Sequence, residues 1–498
     1  MSADRMVRSK GGTADQPPSL EDGGFVMSDE IRAVTVIQNR IATRTIGADT
    51  LTPVAAALRL RDHFAFLLES VEGAARFGRH SILGVTGSTL TLRQGEAVHA
   101  TARTRERQAH TDPLEALRDA LPKDVPASPE LPFPLSSGVG YLAYEVAAQW
   151  ERLPIPRANP VDLPEAFFHV PDAVIIFDHA THLATIATLR EDGSNTLDRV
   201  ISLLGEPTTE ELPRVPSLPS DLPADDTGAR RRFEDGVGRL VAEIRAGEML
   251  QAVLARRFTV PTSRNSFDVY RALRRLNPSP YMFLMRLGVG DDAPALVGAS
   301  PELLVRVRDG QVVTRPIAGT RPRDDDPAID TALELELGRD GKELAEHAML
   351  VDLARNDVGR VAVAGSVEVP VLRAVERYSH VMHLVSEVHG LLRQDCDAFD
   401  AIRASFPAGT VSGAPKLRAM EAIAELEGEQ RGPYGGAVGL FSPNEVEVAI
   451  TIRSAVLRDG QAFVHAGAGV VADSIPARES AEVAAKAAAT LLAVGGAR

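Results

Sequence analysis

The stretch Leu303-Leu-Val-Arg-Val-Arg-Asp-Gly-Gln-Val-Val-Thr314 places two short apolar segments on either side of Asp309-Gly310. Asp-Gly between alternating apolar residues is a strong signal for a tight β-hairpin. A second example occurs near the C-terminus, where Val446 to Leu457 and Gln461 to Ala466 flank Asp459-Gly460. Because hairpins join antiparallel strands, they favour an α+β fold with large antiparallel β-sheets packed with helices.

Helical periodicity is clear elsewhere in the chain. An amphipathic helix that ends at Gly247 is predicted by apolar residues three or four positions apart, namely Phe233, Val237, Leu240, Val241 and Ile244. Further helical patterns cover about 340 to 355, 415 to 427 and 477 to 494. The hairpins and helices do not alternate as strand-helix-strand units, which argues against a parallel sheet.

Composition limits the class of protein. The 498 residues are 44% hydrophobic, enough for a substantial core, and the formal charge of −14 is spread over many acidic residues. The sequence has no basic stripe interleaved with aromatic residues, so a nucleic-acid partner is not expected. The single cysteine, Cys396, excludes a disulfide framework, and no apolar run approaches the roughly 18 residues of a membrane-spanning helix. These features predict a soluble, cytoplasmic protein without a membrane partner.

Two stretches of the sequence divide the chain. The first residues mix Ser, Asp, Gly and Pro with few aromatic residues, which is typical of a disordered tail. Between Glu206 and Thr227, prolines lie among acids and serines, which is typical of an extended linker. The predicted units are a tail at 1–28, an N-terminal domain at 29–205, a linker at 206–228 and a C-terminal catalytic domain at 229–498.

Two predicted helices each carry a pair of carboxylates on one face. Glu343 and Glu346 are three residues apart, as are Glu479 and Glu482, and Lys486 follows on the second helix. Either pair alone is typical of a solvated helix face. Together, and without His or Cys ligands, the two pairs suit Mg²⁺, which binds a few carboxylates and keeps waters and substrate oxygens as its other ligands.

Three further segments are candidates for binding an anion or a planar substrate. The loop from Phe406 to Lys416 precedes a helix but lacks the phosphate-loop spacing, so a carboxylate is the better ligand. Gly467-Ala468-Gly469 follows a predicted strand and matches a relaxed dinucleotide pattern, but no helix opens within it, so close approach of a substrate explains the glycines better. Arg453 projects from the small-residue side of the predicted strand and is either a surface residue or a clamp for a carboxylate.

Ordered blocks from about Ile244 to the C-terminus resemble the chorismate-utilising enzymes, a family that includes anthranilate, aminodeoxychorismate, isochorismate and salicylate synthases. The blocks are Ser300 to Glu302, Arg315 to Arg321, Lys342 to His347, His383 to Ser386, Arg431 to Gly436, Ile452 to Ser454 and Ala466 to Gly469. The resemblance implies the α+β fold of that family, with an active-site cleft.

The resemblance also implies a role for each matching residue. Glu302 would protonate the departing 4-hydroxyl of chorismate, and His383 would take part in the loss of pyruvate unless it is a packed structural histidine. The implied Mg²⁺ ligands are Glu346 and Glu482, with Glu343 and Glu479 next to them. The residues that would line the chorismate site are Gly319, Thr320, Tyr434, Arg453, Gly467, Ala468, Gly469 and Lys486.

The residues at two positions distinguish between the activities found in the family. Gln251 stands where the enzymes that add water carry a lysine base, and Ala318 stands where many aminodeoxychorismate synthases carry a nucleophilic lysine. The resemblance therefore implies ammonia as the nucleophile and anthranilate and pyruvate as the products. Since Cys396 lies in no glutaminase motif, a separate glutamine amidotransferase subunit would supply the ammonia. The alternatives are an aminodeoxychorismate synthase that works without the lysine, or a non-catalytic relative that binds chorismate or tryptophan.

Two segments resemble those that bind tryptophan as a feedback inhibitor in anthranilate synthases. They are Leu67 to Ser70 and Asn277 to Met282. The resemblance implies that Ser70, Pro280, Tyr281 and Met282 bind L-tryptophan, whereas the plain alternative is a core strand and a turn. The sequence departs from the family at His80 and at Ala255-Arg256, which bears on inhibitor strength and local packing and not on the reaction.

Overall fold

The computed structural model describes residues 36–38, 41–70, 79–125, 128, 131–206, 226–288, 293–378 and 381–495. Within these ranges the chain forms 24 strands and 11 α-helices. The strands are β1 (Val36–Gln38), β2 (Ile41–Gly47), β3 (Phe64–Glu69), β4 (His80–Val85), β5 (Ser88–Arg93), β6 (Glu96–Ala100), β7 (Arg105–Ala109), β8 (Gly138–Leu142), β9 (Ala166–Val170), β10 (Ala173–Asp178), β11 (Leu183–Thr188), β12 (Gln251–Pro261), β13 (Tyr281–Arg286), β14 (Ala295–Ser300), β15 (Leu303–Arg308), β16 (Gln311–Thr314), β17 (Ile317–Pro322), β18 (Glu368–Arg377), β19 (Val381–Leu391), β20 (Gly413–Ala414), β21 (Ala437–Phe441), β22 (Val446–Ile450), β23 (Ser454–Arg458) and β24 (Gln461–Val470). The α-helices are α1 (Pro53–Leu60), α2 (Pro113–Ala120), α3 (Ala147–Trp150), α4 (Gly193–Leu204), α5 (Thr227–Arg245), α6 (Ser266–Leu276), α7 (Pro327–Leu337), α8 (Gly341–Gly359), α9 (Ala398–Ser405), α10 (Lys416–Glu427) and α11 (Pro476–Ala493). The predicted tail at 1–28 lies outside the described residues, as does most of the predicted linker at 206–228.

The strands form two large sheets in which neighbouring strands are antiparallel. The first sheet has the order β1-β2-β11-β10-β4-β3-β13-β14-β23-β24-β12-β20. The second has the order β17-β19-β16-β15-β22-β21-β8-β9-β5-β6-β7, and β18 pairs with β19. The predicted α+β fold with large antiparallel sheets is therefore confirmed.

The two sheets face each other across an apolar layer. Phe66 and Phe283 of the first sheet and Tyr141 and Phe167 of the second belong to this layer. Helices α1, α4, α5, α6, α10 and α11 pack on the outer face of the first sheet, and α2, α8 and α9 pack on the outer face of the second. The chain thus forms four layers, with the two sheets in the middle and helices on the outside.

The helices that carry the predicted carboxylates begin with recognisable signals. The side chain of Asp340 accepts hydrogen bonds from the backbone N–H groups of Lys342 and Glu343 at the start of α8, and Pro476 is the first residue of α11. The N–H groups of a first helical turn have no partner within the helix. The Asp340 cap bonds to two of them, and a proline at the first position has no N–H group that would need a partner. The four helices predicted from periodicity are present as α5, α8, α10 and α11. None of the helices in the described ranges is both long and apolar enough to cross a membrane.

Both predicted hairpins are present, but one of the strands around them is divided. Asp309-Gly310 joins β15 to β16 and Asp459-Gly460 joins β23 to β24, with positive φ at all four residues, as the twist of such hairpins requires. The prediction of a single strand from Val446 to Leu457 is wrong, because Arg453 has a φ of 52° and interrupts it. The chain leaves the second sheet after β22 and enters the first as β23, so Arg453 lies at a crossing between the sheets.

Strands from both sides of the predicted linker share each sheet. In the first sheet β3 pairs with β13, and in the second β8 pairs with β21. The predicted boundary between 29–205 and 229–498 therefore does not coincide with the boundary between the two sheets. Each sheet needs strands from both parts of the chain, which ties the N-terminal segment to the residues of the site.

Candidate active site

Glu302 lies where the chain passes from β14 of the first sheet to β15 of the second. It is 8% exposed, and its Oε1 accepts a hydrogen bond of 3.0 Å from the hydroxyl of Thr410. Burial raises the pKa of Glu302 to about 8, although the Thr410 bond and the charge of Lys486 lower it. Glu302 is therefore protonated at neutral pH, and a buried protonated carboxyl group can act as a proton donor.

Four of the residues predicted to line the chorismate site surround the other crossing between the sheets. Arg453 donates a hydrogen bond of 2.8 Å to the backbone oxygen of Lys486, and Lys486 Nζ donates one of 3.1 Å to the backbone oxygen of Gly467. A Cβ built on Gly467 would lie 2.9 Å from the hydroxyl oxygen of Tyr434, so only glycine fits beside this tyrosine. Burial lowers the pKa of Arg453, so an anion bound beside it would stabilise the charged guanidinium.

Tyr434 is fixed by an aromatic neighbour. Its ring stacks on His465, with the centroids 5.4 Å apart and the planes at 18°, and the guanidinium of Arg431 lies 5.7 Å from its centroid. Burial lowers the pKa of His465 to about 3 and raises the pKa of Tyr434 to about 12. At neutral pH the histidine is therefore uncharged and the tyrosine keeps its hydroxyl proton.

The glycine-rich segment lies inside a strand, and the prediction that it follows a strand is wrong. Gly467 to Gly469 belong to β24, where successive side chains alternate between the two faces of the sheet. The side chain of Ala468 is buried in the core beneath the helices, on the face opposite Gly467 and Gly469. Of the residues predicted to line the chorismate site, Ala468 could therefore contribute only its backbone.

Gln251 and Glu346 meet at the next glycine of the same strand. A Cβ built on Gly469 would lie 2.5 Å from Nε2 of Gln251 and 3.9 Å from Oε1 of Glu346. Gln251 is buried, and its Oε1 has no hydrogen-bond partner among the described residues. The start of β12 thus presents a hydrogen-bond acceptor next to a predicted metal ligand.

His383 approaches the site from the second sheet. Its Nδ1–H donates a hydrogen bond of 2.8 Å to the backbone oxygen of Gly319, and the hydroxyl of Thr320 lies 3.1 Å from the same nitrogen. Burial lowers the pKa of His383, so the ring is neutral at pH 7. Because a carbonyl oxygen can only accept, the proton lies on Nδ1 and leaves Nε2 free to accept a proton.

The two predicted carboxylate pairs lie on α8 and α11, close enough for charges on one helix to affect those on the other. Burial and the negative charges of Glu343 and Glu482 raise the pKa of Glu346, and burial and Glu482 raise the pKa of Glu479. Lys486 Nζ lies 2.6 Å from Oε1 of Glu482. The crowded negative charge would be stabilised by a cation.

The described part of the chain contains no group of three or more His, Cys, Asp or Glu side chains placed to hold a metal. Mg²⁺ needs only one or two carboxylates when a substrate and waters supply the remaining oxygens. Glu346 and Glu482, the predicted ligands, lie on separate helices, and the negative charge of Glu482 helps to raise the pKa of Glu346. This donor set therefore fits Mg²⁺ bound together with an anionic substrate.

A separate cavity of about 150 Å³ contains the residues predicted to bind tryptophan. Strands β3 and β13 pair so that Met282 lies opposite Glu69, which brings Ser70 close to the second segment. Ser70 Oγ and Tyr281 Oη are buried there without a hydrogen-bond partner among the described residues. Pro280 and Met282 complete this wall, and strands of the second sheet form the opposite one.

Sequence analysis missed two contacts in the candidate site. It placed Thr410 in a loop that faces an anion, whereas the structure shows the Thr410 hydroxyl bonded to Glu302. No local signal relates these two residues. It gave no role to His465, yet His465 is two residues before Gly467 and hence on the same face of β24, a spacing that could have indicated the contact with Tyr434.

Comparison with known proteins identifies the family. The sequence profile of the chorismate binding enzymes matches residues 72–492. Anthranilate synthase component 1 of Streptomyces coelicolor is 44% identical over 469 residues, which cover 90% of this chain and 87% of that protein. The protein of the same name from Thermus thermophilus is 43% identical over 463 residues, which cover 91% and 97%. The crystal structure of anthranilate synthase component I from Streptococcus pneumoniae TIGR4 matches with a TM-score of 0.73 and 35% identity, covering 89% of this chain and 98% of that one. This chain therefore belongs to the family of chorismate binding enzymes.

Proposed function

We propose that this chain converts chorismate and ammonia into anthranilate and pyruvate, as the large subunit of an anthranilate synthase. The observation that carries the proposal is Glu302, a buried acid whose pKa is raised to about 8 beside the predicted chorismate site. The similarity to proteins named anthranilate synthase component 1 extends over about nine-tenths of the chain and supports the same conclusion.

Glu302 supplies the proton that the first step needs. Hydroxide is a poor leaving group, so the 4-hydroxyl of chorismate departs as water only if an acid protonates it. As that carbon–oxygen bond breaks, the ring double bonds shift and ammonia bonds to the ring, which gives aminodeoxyisochorismate. The Thr410 hydroxyl, at 3.0 Å, holds the carboxyl group in place for this transfer.

Gln251 favours ammonia over water as the nucleophile. Water is a weak nucleophile, so its attack needs help from a base such as lysine that removes a proton, whereas uncharged ammonia is a stronger nucleophile and can attack without such a base. Oε1 of Gln251, which has no hydrogen-bond partner in the described part of the chain, can accept a hydrogen bond from ammonia and orient it. Ala318 offers no nucleophile of its own, so a covalent route through this position is excluded.

His383 suits the second step. The hydrogen on the aminated ring carbon is transferred as a proton to Nε2 of His383 while the bond between the ring and the enolpyruvyl oxygen breaks. The ring becomes aromatic as anthranilate, and the departing enolpyruvate takes up a proton at its methylene carbon to become pyruvate. The hydrogen bond of 2.8 Å from Nδ1 to Gly319 holds the ring in the tautomer that this transfer needs.

The remaining residues would bind the substrate's negative charges. Arg453, Lys486 and the hydroxyl of Tyr434 would hold carboxylate oxygens, and Glu346 and Glu482 would hold Mg²⁺. When bound, Mg²⁺ neutralises negative charge on the ring carboxylate as the reaction proceeds. The raised pKa of Glu346 supports this assignment, because a cation stabilises its charged form.

L-tryptophan would act as a feedback inhibitor in the cavity between the sheets. Support comes from the buried hydroxyls of Ser70 and Tyr281, which have no partner among the described residues and can bond to an amino acid. The apolar walls formed by Met282 and Phe283 suit an indole ring. A tryptophan in this position would link strands of both sheets.

The ammonia would come from a glutamine amidotransferase subunit. The relatives are named component 1, which implies a second component, and the single cysteine of this chain lies in Asp395-Cys396-Asp397, not in a glutaminase motif. Free ammonium at high concentration should replace the partner.

The test mixes the purified chain with chorismate, Mg²⁺ and ammonium at alkaline pH, and follows anthranilate fluorescence and pyruvate. Both products should form, a chelator should abolish them, and tryptophan should suppress them. Glu302→Gln serves as the control for background reaction. Chorismate consumed without pyruvate would identify an aminodeoxychorismate synthase instead, and no consumption would contradict the proposed reaction.

A further inference from the structure

A second, smaller cavity reaches Glu302 from between α8 and the loop that carries Thr410. Its volume of about 40 Å³ is room for roughly three or four waters, since one water needs on the order of 10–15 Å³ measured this way. The residues that line the cavity include Glu302, Thr314, Leu353, Ala354, Asp357 and Ser405. The proposed reaction assigns no role to this space.

Two buried hydroxyl groups face the cavity. Thr314 is 6% exposed and Ser405 is 4% exposed, and neither hydroxyl oxygen has a hydrogen-bond partner among the described residues. Thr314 is the last residue of β16 and Ser405 the last of α9, so two unrelated elements bring their hydroxyls to one small space. Polar atoms in such a cavity are normally satisfied by water.

The charged groups around the cavity already have partners. Asp357 lies 3.1 Å from Lys416 Nζ, and Arg315 pairs with Glu376 at 2.5 Å and with Glu387 at 3.3 Å. Each of these charged groups thus has an oppositely charged partner, and the hydroxyls of Thr314 and Ser405, which have no partner among the described residues, are neutral. This chemistry suits water.

The outer wall of the cavity is less buried than the inner one. Leu353 and Ala354 of α8 are half-buried, and so are Gly409 and Thr410 of the facing loop. Glu302, Thr314 and Ser405 are buried. The cavity thus leads from a partly exposed rim to the carboxyl group that acts as the acid.

We propose that waters in this cavity, held by Thr314 and Ser405, return a proton to Glu302 after each turnover. The inference rests on the proposed function. When the carbon–oxygen bond breaks, the 4-hydroxyl takes the proton of Glu302 and leaves as water, and Glu302 remains as a carboxylate. A cavity water gives this carboxylate a proton and regains one from solvent through the two hydroxyls. Thr314 and Ser405 act through Glu302 and do not touch the substrate.

The test separates the first turnover from the later ones. Chorismate consumption is followed by rapid quench near pH 7, with Mg²⁺ and excess ammonium, in the full-length chain. Thr314→Val with Ser405→Ala removes both hydroxyls at nearly constant volume. The first turnover should match the unaltered chain, because Glu302 starts protonated, whereas later turnovers should slow by about 10²-fold, the lower end of the range for general-acid effects. The result is a burst of one chorismate per chain, with a larger solvent isotope effect on the slow phase.

Three further single variants accompany the double variant Thr314→Val with Ser405→Ala. Thr314→Ser keeps a hydroxyl and should retain fast later turnovers. Ala354→Leu narrows the rim and should produce a burst, whereas Arg355→Leu, the next residue on the exposed side of α8, should not. Equal slowing of both phases in the double variant would indicate a structural role and overturn the proposal. Unchanged rates in both phases would overturn it too. If the unaltered chain consumes no chorismate, the proposed function is wrong and the relay with it. If the unaltered chain turns over but the double variant shows no burst, only the relay is wrong.

Discussion

Thr410 and Glu302 are 108 residues apart in the sequence and meet through a hydrogen bond of 3.0 Å from the threonine hydroxyl to Oε1 of the carboxyl group. The two residues come from different parts of the fold, a turn between the sheets and a loop before α10. Burial raises the pKa of Glu302, and this bond partly opposes it. The balance of the two effects sets the pH range in which the acid is protonated.

Replacing Glu302 tests the proton donor directly. Glu302→Gln keeps the shape but cannot donate a proton of comparable acidity, so kcat should fall by about 10²–10⁴-fold with little change in KM. The measurement is steady-state anthranilate formation with ammonium. Glu368→Gln, at an exposed position, is the matched control and should keep full activity. An active Glu302→Gln enzyme would show that another group protonates the hydroxyl.

The pH dependence follows from the protonated form of Glu302. Since the acid works when protonated and its pKa is raised to about 8, kcat should fall as the pH rises through about 8. Thr410→Val removes a bond that lowers this pKa, so the basic limb should move to higher pH. The profiles are recorded at a constant concentration of free ammonia. A limb that stays in place or moves to lower pH would contradict the assignment.

Gly469 should not tolerate a methyl group. The Cβ of Gly469→Ala would lie 2.5 Å from Nε2 of Gln251 and would displace it. Since a misplacement of about 1 Å can cost on the order of 10²-fold in rate, kcat/KM for ammonia should drop strongly. Gly238→Ala is the control, because a Cβ there meets nothing within 4 Å. Normal ammonia kinetics in Gly469→Ala would show that Gln251 does not orient ammonia.

Replacing Ser70 tests whether tryptophan binds in the cavity between the sheets. Ser70→Arg places a long charged side chain in the space of about 150 Å³ and should relieve tryptophan inhibition while turnover is retained. Inhibition curves for anthranilate formation give the result. Ser194→Arg, at an exposed position of α4, should leave inhibition unchanged. Unaltered inhibition in Ser70→Arg would show that tryptophan binds elsewhere.

Arg431 holds the ring of Tyr434 and forms a buried ion pair. It is 2% exposed and lies 2.5 Å from Glu427. Arg431→Met leaves the Glu427 carboxylate buried without this partner, so the free energy of unfolding should fall by about 3–5 kcal/mol. Urea denaturation measures the change. Arg239→Met breaks the exposed pair with Glu425 and should have little effect. A similarly small loss in Arg431→Met would mean that other groups satisfy Glu427.

Local patterns predicted two hairpins and four helices that the structure contains, because a hairpin turn or a helix start depends on residues a few positions apart. Asp309-Gly310 and the cap at Asp340 are of this kind. The strand predicted from Val446 to Leu457 was wrong for the opposite reason. Its continuity depends on which strands pair with it, and one partner on each side of Arg453 comes from a distant part of the chain: β15 before Arg453 and β14 after it.

The sequence by itself determined the fold class, the family and the kinds of side chain available to the site, since these follow from residue types and their spacing. Only the tertiary structure decided the state and surroundings of those side chains. Burial makes Glu302 a protonated acid, and the pleat of β24 turns Ala468 away from the site while His465 stacks on Tyr434. Such effects depend on what lies next to a residue in space, and for Glu302 the neighbour that matters is 108 residues away.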